Sequence, residues 1–217
     1  MISLVIPTYN EEKYLPRLLE CIKKQSYKKY EIIVSDANST DKTRQIAKKY
    51  GCKVVKGGLP SVGRNNGAKA AKGDIIFFMD ADISFEKNFL KKSLEELKSK
   101  NLDVAGVYIK PDSKNLIDEF YYDFLAMWFF LMQKIYPHCV GSCLIAKKFV
   151  HEKIRGFDEQ IRLAEDIDYV NRASKSFKFG MVDTSVFASS RRFNKEGRLK
   201  LAIKYTLIFF YRVFVGE

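Results

Sequence analysis

Residues 3–12 read Ser-Leu-Val-Ile-Pro-Thr-Tyr-Asn-Glu-Glu, a short branched apolar run that breaks into proline and polar groups. A run of this length ending at turn-forming residues is the signature of a buried strand. The pattern returns downstream. Glu31–Ser35 runs into Asp36-Ala37-Asn38-Ser39-Thr40-Asp41, Lys53–Val55 is a shorter run, and Asp74–Met79 runs into Asp80-Ala81-Asp82. Between these, Glu11–Gln25, Asp41–Tyr50 and Ser61–Ala71 place apolar residues three and four apart, as a helix with one buried face requires. Ser39 or Thr40 is placed to cap the second helix, and Gly51 follows its end. This alternation predicts an α/β protein with a mostly parallel central sheet and helices on both faces.

Beyond that half the pattern is less regular. Phe85–Lys100 predicts a helix, Val104–Ile109 a strand, Ile117–Tyr136 a long aromatic helix and Gly141–Ala146 another strand. Ala164–Ser174 reads as a helix with acids in its first turn, and Leu199–Phe214 as a terminal helix. There is no repeat, linker or Pro/Gly-rich boundary, and 217 residues are ample for one core and short for two. One domain over residues 1–217 is expected.

The net charge of +12 favours anionic company, whether nucleic acid, phosphorylated small molecules or acidic lipid headgroups. Cys21, Cys52, Cys139 and Cys143 show no disulfide framework, which suits a reducing cytosol. Cys139 and Cys143 beside His138 lack a fourth ligand at zinc spacing, so buried thiols are the expectation. The chain opens directly into Ile2–Pro7 without the basic and apolar regions of a secretory signal, and no window is apolar enough to span a bilayer.

In a parallel α/β sheet, ligands bind beyond the carboxyl ends of the strands, and that is where the acids collect. Residues i and i+2 of an extended segment point the same way, so Asp80 and Asp82 can present two carboxylates to one side. Such a pair repels unless a cation sits nearby, and all-oxygen ligands suit Mg²⁺ or Mn²⁺ shared with substrate phosphates. A solvated turn after a strand accounts for Asp80 and Asp82 equally well. Asp36 can accept hydrogen bonds from a base or ribose and Tyr9 can stack on a base, although capping would also explain acids and hydroxyls over residues 36–41. In Gly63-Arg64-Asn65-Asn66-Gly67, small residues would let the backbone approach a ligand and Arg64 could fork onto phosphate oxygens, where the plainer reading is an exposed arginine. Asp166, in Glu165-Asp166-Ile167-Asp168, is a candidate general base, against the plainer reading of acids that favour a helix N-terminus.

The order of these motifs is more specific than any one of them. Pro7-Thr8-Tyr9-Asn10-Glu11-Glu12, then Asp36–Asp41, Gly63–Gly67, Asp80-Ala81-Asp82, and Gly156-Phe157-Asp158-Glu159 with Glu165-Asp166 together resemble family 2 glycosyltransferases over roughly residues 1–180. The resemblance implies a GT-A (Rossmann-like) fold, with a nucleotide-binding half over residues 1–110, an acceptor and catalytic half over 111–190, and a basic, apolar C-terminal helix within 191–217. It implies that Pro7, Thr8, Tyr9, Glu11 and Asp36 line a nucleoside pocket, and that Arg64 approaches the diphosphate of a UDP- or GDP-linked sugar. Asp80 and Asp82 would hold ribose and Mn²⁺ or Mg²⁺, with Asp82 the direct ligand. Asp166 would be the base of a single, inverting displacement, supported by Glu165, Asp168 and Arg172. The Gln-x-x-Arg-Trp motif of processive synthases is missing, and Ser189-Ser190-Arg191-Arg192-Phe193 stands in that region. This resembles small non-processive members, in which Arg191 or Arg192 would clamp the leaving diphosphate and one sugar would move per encounter.

Lys200, Lys204 and Arg212 fall on one side of the terminal helix beside a broad apolar face, the pattern of a helix lying on anionic lipid. Packing on the protein's own sheet or on a second subunit explains that helix as well. Phe120–Tyr136, with Trp128, Phe129 and Phe130, reads as core or as a surface facing a prenyl chain. The resulting expectation is a cytoplasmic enzyme, peripheral on the membrane face, with a polyprenyl-linked acceptor and no nucleic-acid partner. Two rival classes stand beside it. A nucleotidyltransferase on a similar sheet would carry a Gly- and Arg-rich loop after the first strand, where this chain has Pro7–Glu12. A non-catalytic basic module for nucleic acid or membrane would have little need of acids at strand ends.

Overall fold

The computed structural model describes residues 1–113, 115, 118–120, 122–124, 127, 131, 136–139, 141–189, 191, 197, 198, 200, 201, 203, 204, 206, 207 and 211. The expectations attached to Trp128, Phe129, Phe130, Arg192 and Arg212 lie outside the described residues.

The described elements, in chain order, are β1 (Ile2–Thr8), α1 (Leu15–Lys23), β2 (Tyr30–Asp36), α2 (Thr43–Lys49), β3 (Lys53–Lys56), α3 (Pro60–Ala70) and β4 (Ile75–Met79). There follow β5 (Ile83–Ser84), α4 (Phe89–Ser99), β6 (Val104–Pro111), β7 (Cys143–Lys147), α5 (Lys148–Lys153), α6 (Glu165–Ser174) and β8 (Phe179–Ala188). One sheet runs in the order β3-β2-β1-β4-β7-β6-β8-β5. The first four strands are parallel, with Ile2 opposite both Tyr30 and Ile75. β7 is antiparallel to β4 and β6, while β6 and β8 are parallel. The sheet is therefore mixed and mostly parallel.

Alternation along the central strands divides the core into two layers. Leu4, Ile6, Phe77, Met79 and Ile145 face one side, where Leu18, Leu19 and Ile22 of α1 and Leu90 and Leu97 of α4 cover them. Val5, Ile76, Phe78 and Leu144 face the other, under Ala68 of α3, Val150 of α5 and Tyr169 and Val170 of α6. Strands buried on both faces read as continuous apolar runs rather than alternating ones, which is why the early strands were legible. Each fully buried Leu, Ile or Phe contributes about 1.5–3 kcal/mol relative to exposure.

Several local expectations need correction. The segment predicted as helix from Glu11 becomes helical only at Leu15, after a turn in which Tyr14 N and Leu15 N both donate to Glu11 O. Pro16 then sits in the first turn, where its missing N–H removes no helical bond. Ser39 and Thr40 do not cap α2, which begins at Thr43. Ser39 Oγ accepts from Asn10 N at 2.9 Å, and Thr40 N donates to Asn10 Oδ1 at 2.9 Å, so these residues stitch the loop after β2 to the loop after β1. Gly63 and Gly67 allow close packing of α3 on the sheet. A β-carbon on Gly67 would lie 2.2 Å from Val5 Cγ1, and one on Gly63 would lie 3.1 Å from Pro7 Cβ.

Candidate active site

The polar ends of β1, β2 and β4 meet at one edge of the sheet, joined by the end of β8. Asp80 N donates to Ser142 O at 3.0 Å and Ser189 N to Asp82 O at 3.2 Å, so backbone bonds fix both aspartates at the strand edge. The second bond also brings the residues after β8 against Asp82.

Arg64 organises the middle of the site. Its side chain is only 4% exposed, so the expectation of an exposed arginine gives way to a buried one. Nη2 donates to Asp80 Oδ1 at 3.1 Å and to Gly141 O at 3.3 Å, and Nη1 donates to Glu165 Oε1. The guanidinium also lies 5.3 Å from the centroid of the Phe157 ring. Burial alone would loosen its proton, but Asp80, Glu165 and Asp166 outweigh that effect and raise its pKa. A single arginine thus draws β4, α6 and the start of β7 to one point.

Asp166 follows Ala164, whose φ of 60° is left-handed and strained for a residue with a β-carbon, by roughly 1–2 kcal/mol. Its carboxyl packs against Gly141, where an added β-carbon would lie 2.9 Å from Oδ2. Burial and then the Glu165 charge raise the Asp166 pKa from 3.8 to about 7, against the opposing pull of Arg64. A carboxylate poised near neutrality suits proton abstraction from a hydroxyl. Arg172 steadies the helix from behind, donating to Asp168 Oδ2 at 2.8 Å, Ile154 O at 2.6 Å and Gly156 O at 2.8 Å.

At the β1 and β2 ends, Thr8 is buried and Oγ1 donates to Asp36 Oδ1 at 3.2 Å. Asp36, 3% exposed, also accepts from Ser39 N at 2.9 Å and pairs with Arg44 Nε at 3.5 Å. Pro7 lies against Gly63. Tyr9 stands 63% exposed at the mouth, a ring open to stacking. Glu11 accepts Arg191 Nη1 and Nη2 at 2.8 Å each, while Arg191 Nε lies 2.9 Å from Asp82 Oδ2.

The structure therefore brings together Glu11, Arg64, Asp80, Asp82, Asp166 and Arg191, and sets Tyr9 and Asp36 on the flank. Sequence reasoning missed how Asn65 works: it donates to Phe157 O and Glu159 Oε1 at 2.9 Å each and accepts from Phe157 N at 2.8 Å, locking the 156–159 turn onto α3. It also missed the Arg191–Glu11 pair, which no local pattern signals across 180 residues. Cys139 and Cys143 are free and buried, and burial raises both thiols.

Asp80 and Asp82 follow β4 in a turn rather than in extended chain, so strand alternation does not set them on one side; Asp80 pairs with Arg64 and Asp82 with Arg191. Among the described residues no group of three or more His, Cys, Asp or Glu is placed to hold a metal ion. The donor set fits a divalent cation whose remaining ligands are phosphate oxygens and water, as is usual for Mg²⁺.

The mixed sheet thus carries carboxylates and an enclosed arginine beyond the ends of its parallel strands. The sequence profile of glycosyl transferase family 2 matches residues 3–155, and the chain belongs to that family. TarS of Staphylococcus aureus, a poly(ribitol-phosphate) β-N-acetylglucosaminyltransferase, is 35% identical over 118 residues, 50% of this chain and 21% of TarS. The structure of TarS 1–349 in complex with UDP-GlcNAc matches with a TM-score of 0.72 at 25% identity, covering 87% of this chain and 58% of that one. A mannosyltransferase from Pyrobaculum calidifontis, in complex with GDP-Man and Mn²⁺, shares the fold with a TM-score of 0.72 at 20% identity, over 86% of this chain and 56% of that one. The chain thus spans less than two thirds of the length of each of these relatives. Membership of that family agrees with the glycosyltransferase expectation and lends no support to the nucleotidyltransferase or the non-catalytic module.

Proposed function

We propose that this glycosyltransferase moves one sugar per encounter from a nucleotide-diphosphate sugar to an acceptor hydroxyl by a single, inverting displacement. The observation that carries the reading is the Arg64 node, which holds Asp80 at the donor edge and Glu165-Asp166 across from it in one site. Asp166, raised to about 7, takes the acceptor proton as the hydroxyl attacks the anomeric carbon. Pro7, Thr8, Tyr9, Glu11 and Asp36 form the nucleoside side of the cleft, with Tyr9 stacking on the base. Arg64 supports the diphosphate side through Asp80, with three of its N–H donors held by Asp80, Gly141 and Glu165. Asp80 and Asp82 would hold Mn²⁺ or Mg²⁺, which would neutralise charge on the departing diphosphate. Support for a nucleotide sugar comes from the UDP-GlcNAc complex of the TarS relative; UDP- and GDP-linked donors both fit the carboxylate edge.

On the acceptor side we propose a lipid-linked substrate reached from the cytoplasmic membrane face. Phe120, Phe124, Met127 and Leu131 are exposed at helical spacing, as are Ile203, Leu207 and Tyr211, with Lys200 and Lys204 exposed beside the second group. Among the described residues no helix is long and apolar enough to cross a membrane, so the contact would be peripheral. Two measurements test the pair of claims. Thermal stabilisation by UDP or GDP should require Mn²⁺ and vanish with chelator; stabilisation by neither nucleotide under any condition would overturn the donor reading. Anionic vesicles should retain the protein at low salt, and failure to do so removes the lipid claim without touching the first.

A further inference from the structure

Each carboxylate of the Asp80-Ala81-Asp82 turn has an arginine of its own, and the two are held in unlike ways. Arg64 is rooted in α3, 4% exposed, and bonded to three separate acceptors. Arg191 is 31% exposed and follows the last strand. Its fork faces Glu11 through two 2.8 Å bonds, its Nε reaches Asp82 at 2.9 Å, and its plane lies 4.7 Å from the Tyr14 ring centroid. Arg191 Nε engages one Asp82 oxygen, so a divalent cation approaching that carboxylate meets a like charge near contact distance, which opposes its binding.

We infer that Arg191 is an exchangeable counter-cation of the donor site. It holds Glu11 and Asp82 while no donor is bound, then releases Asp82 and turns its fork to the incoming diphosphate. Planar, bidentate donors fit phosphate as well as carboxylate, so the exchange conserves strong hydrogen bonds. A bare cation offers Arg191 no such new partner. Arg191 therefore opposes a cation arriving alone and favours one arriving with a nucleoside diphosphate, and by linkage each strengthens the other's binding. Arg191 is thus a positioning residue before it is a clamp. The inference rests on the reading of Asp82 as a metal-holding residue.

The test is Mn²⁺ binding followed by the electron paramagnetic resonance signal of free ion, on the intact chain, Arg191→Gln, Arg191→Lys and Asp82→Asn, with circular dichroism confirming the fold. Without nucleotide, Arg191→Gln should bind Mn²⁺ at least about tenfold more tightly than the native chain, with Arg191→Lys between them. Added UDP or GDP should then tighten Mn²⁺ binding less in Arg191→Gln than in the native chain. Equal affinity of the native chain and Arg191→Gln without nucleotide, combined with loss of binding in Asp82→Asn, would overturn the exchange and leave the metal site standing. Absence of Mn²⁺ binding in every protein, even with UDP or GDP, would remove the metal site and the inference together.

Discussion

Arg64→Met removes a cation that Asp80 and Glu165 share. The replacement fills much of the same volume and leaves three carboxylates, Asp80, Glu165 and Asp166, around an apolar side chain. Breaking a buried ion pair by deleting one partner costs about 3–5 kcal/mol, because the remaining charge stays desolvated. Here the Asp80 side chain is 28% exposed and can recover some water, whereas Glu165 at 13% recovers less, which places the expected loss toward the lower end of that range. For a chain of this size about 3 kcal/mol corresponds to a fall in Tm of roughly 6–12 °C. The sign of the pH dependence follows from Asp166. Its folded pKa already lies above its ordinary 3.8, and Arg64 is the group that pulls it down, so the variant raises it further. A carboxyl raised in the folded state loses stability as pH climbs from its unfolded value through its folded one. The deficit should be largest above about pH 7 and shrink on acidification toward pH 5. Urea unfolding of both proteins at pH 5 and pH 8 measures it. A loss under about 1 kcal/mol at pH 8, or a deficit that does not change with pH, would refute the role given to Arg64.

Four further outcomes are expected. Gly67→Ala places a β-carbon 2.2 Å from Val5 Cγ1, so α3 must lift from β1, and overpacking of this kind costs about 1–3 kcal/mol in chemical unfolding. Gly63→Ala, with its nearest contact at 3.1 Å, should cost less in the same assay. Asn65→Ala strands Phe157 N and O, losing three hydrogen bonds worth about 1 kcal/mol each, and faster proteolysis of the 156–159 turn reports it. The rate at low donor concentration should fall tenfold per pH unit below about 7, as Asp166 takes up its proton, and a flat profile from pH 5 to 8 would contradict its assignment as base.

The parallel half of the fold was legible because strands buried on both faces write themselves as unbroken Val, Ile and Phe, as in Ile75–Met79. β8 was not, since Gly180, Asp183, Thr184 and Ser185 interrupt a run in which only Val182, Thr184 and Val186 turn inward. The antiparallel setting of β7 was also hidden, because strand direction is fixed by chain return and not by composition. At the site, the carboxylates were visible as acids following apolar runs. Their partners were not: nothing near Arg64 in sequence announces Glu165, and nothing near Glu11 announces Arg191. Long-range ion pairs leave no periodic trace. Asn10 and Asn38 adopt left-handed backbone in the loops after β1 and β2, a conformation Asn tolerates better than most residues.

In the proposed mechanism Asp82 at the donor and Asp166 at the acceptor divide the labour of transfer between them, and that division can be measured directly. Release of nucleoside diphosphate from a panel of UDP- and GDP-sugars, with Mn²⁺ present, should be followed in the native chain, Asp82→Asn and Asp166→Asn, alongside thermal stabilisation by each donor. Both variants should lose turnover by at least about a hundredfold, with Asp166→Asn still stabilised by the donor and Asp82→Asn no longer so. Turnover by Asp166→Asn at the native rate would contradict it.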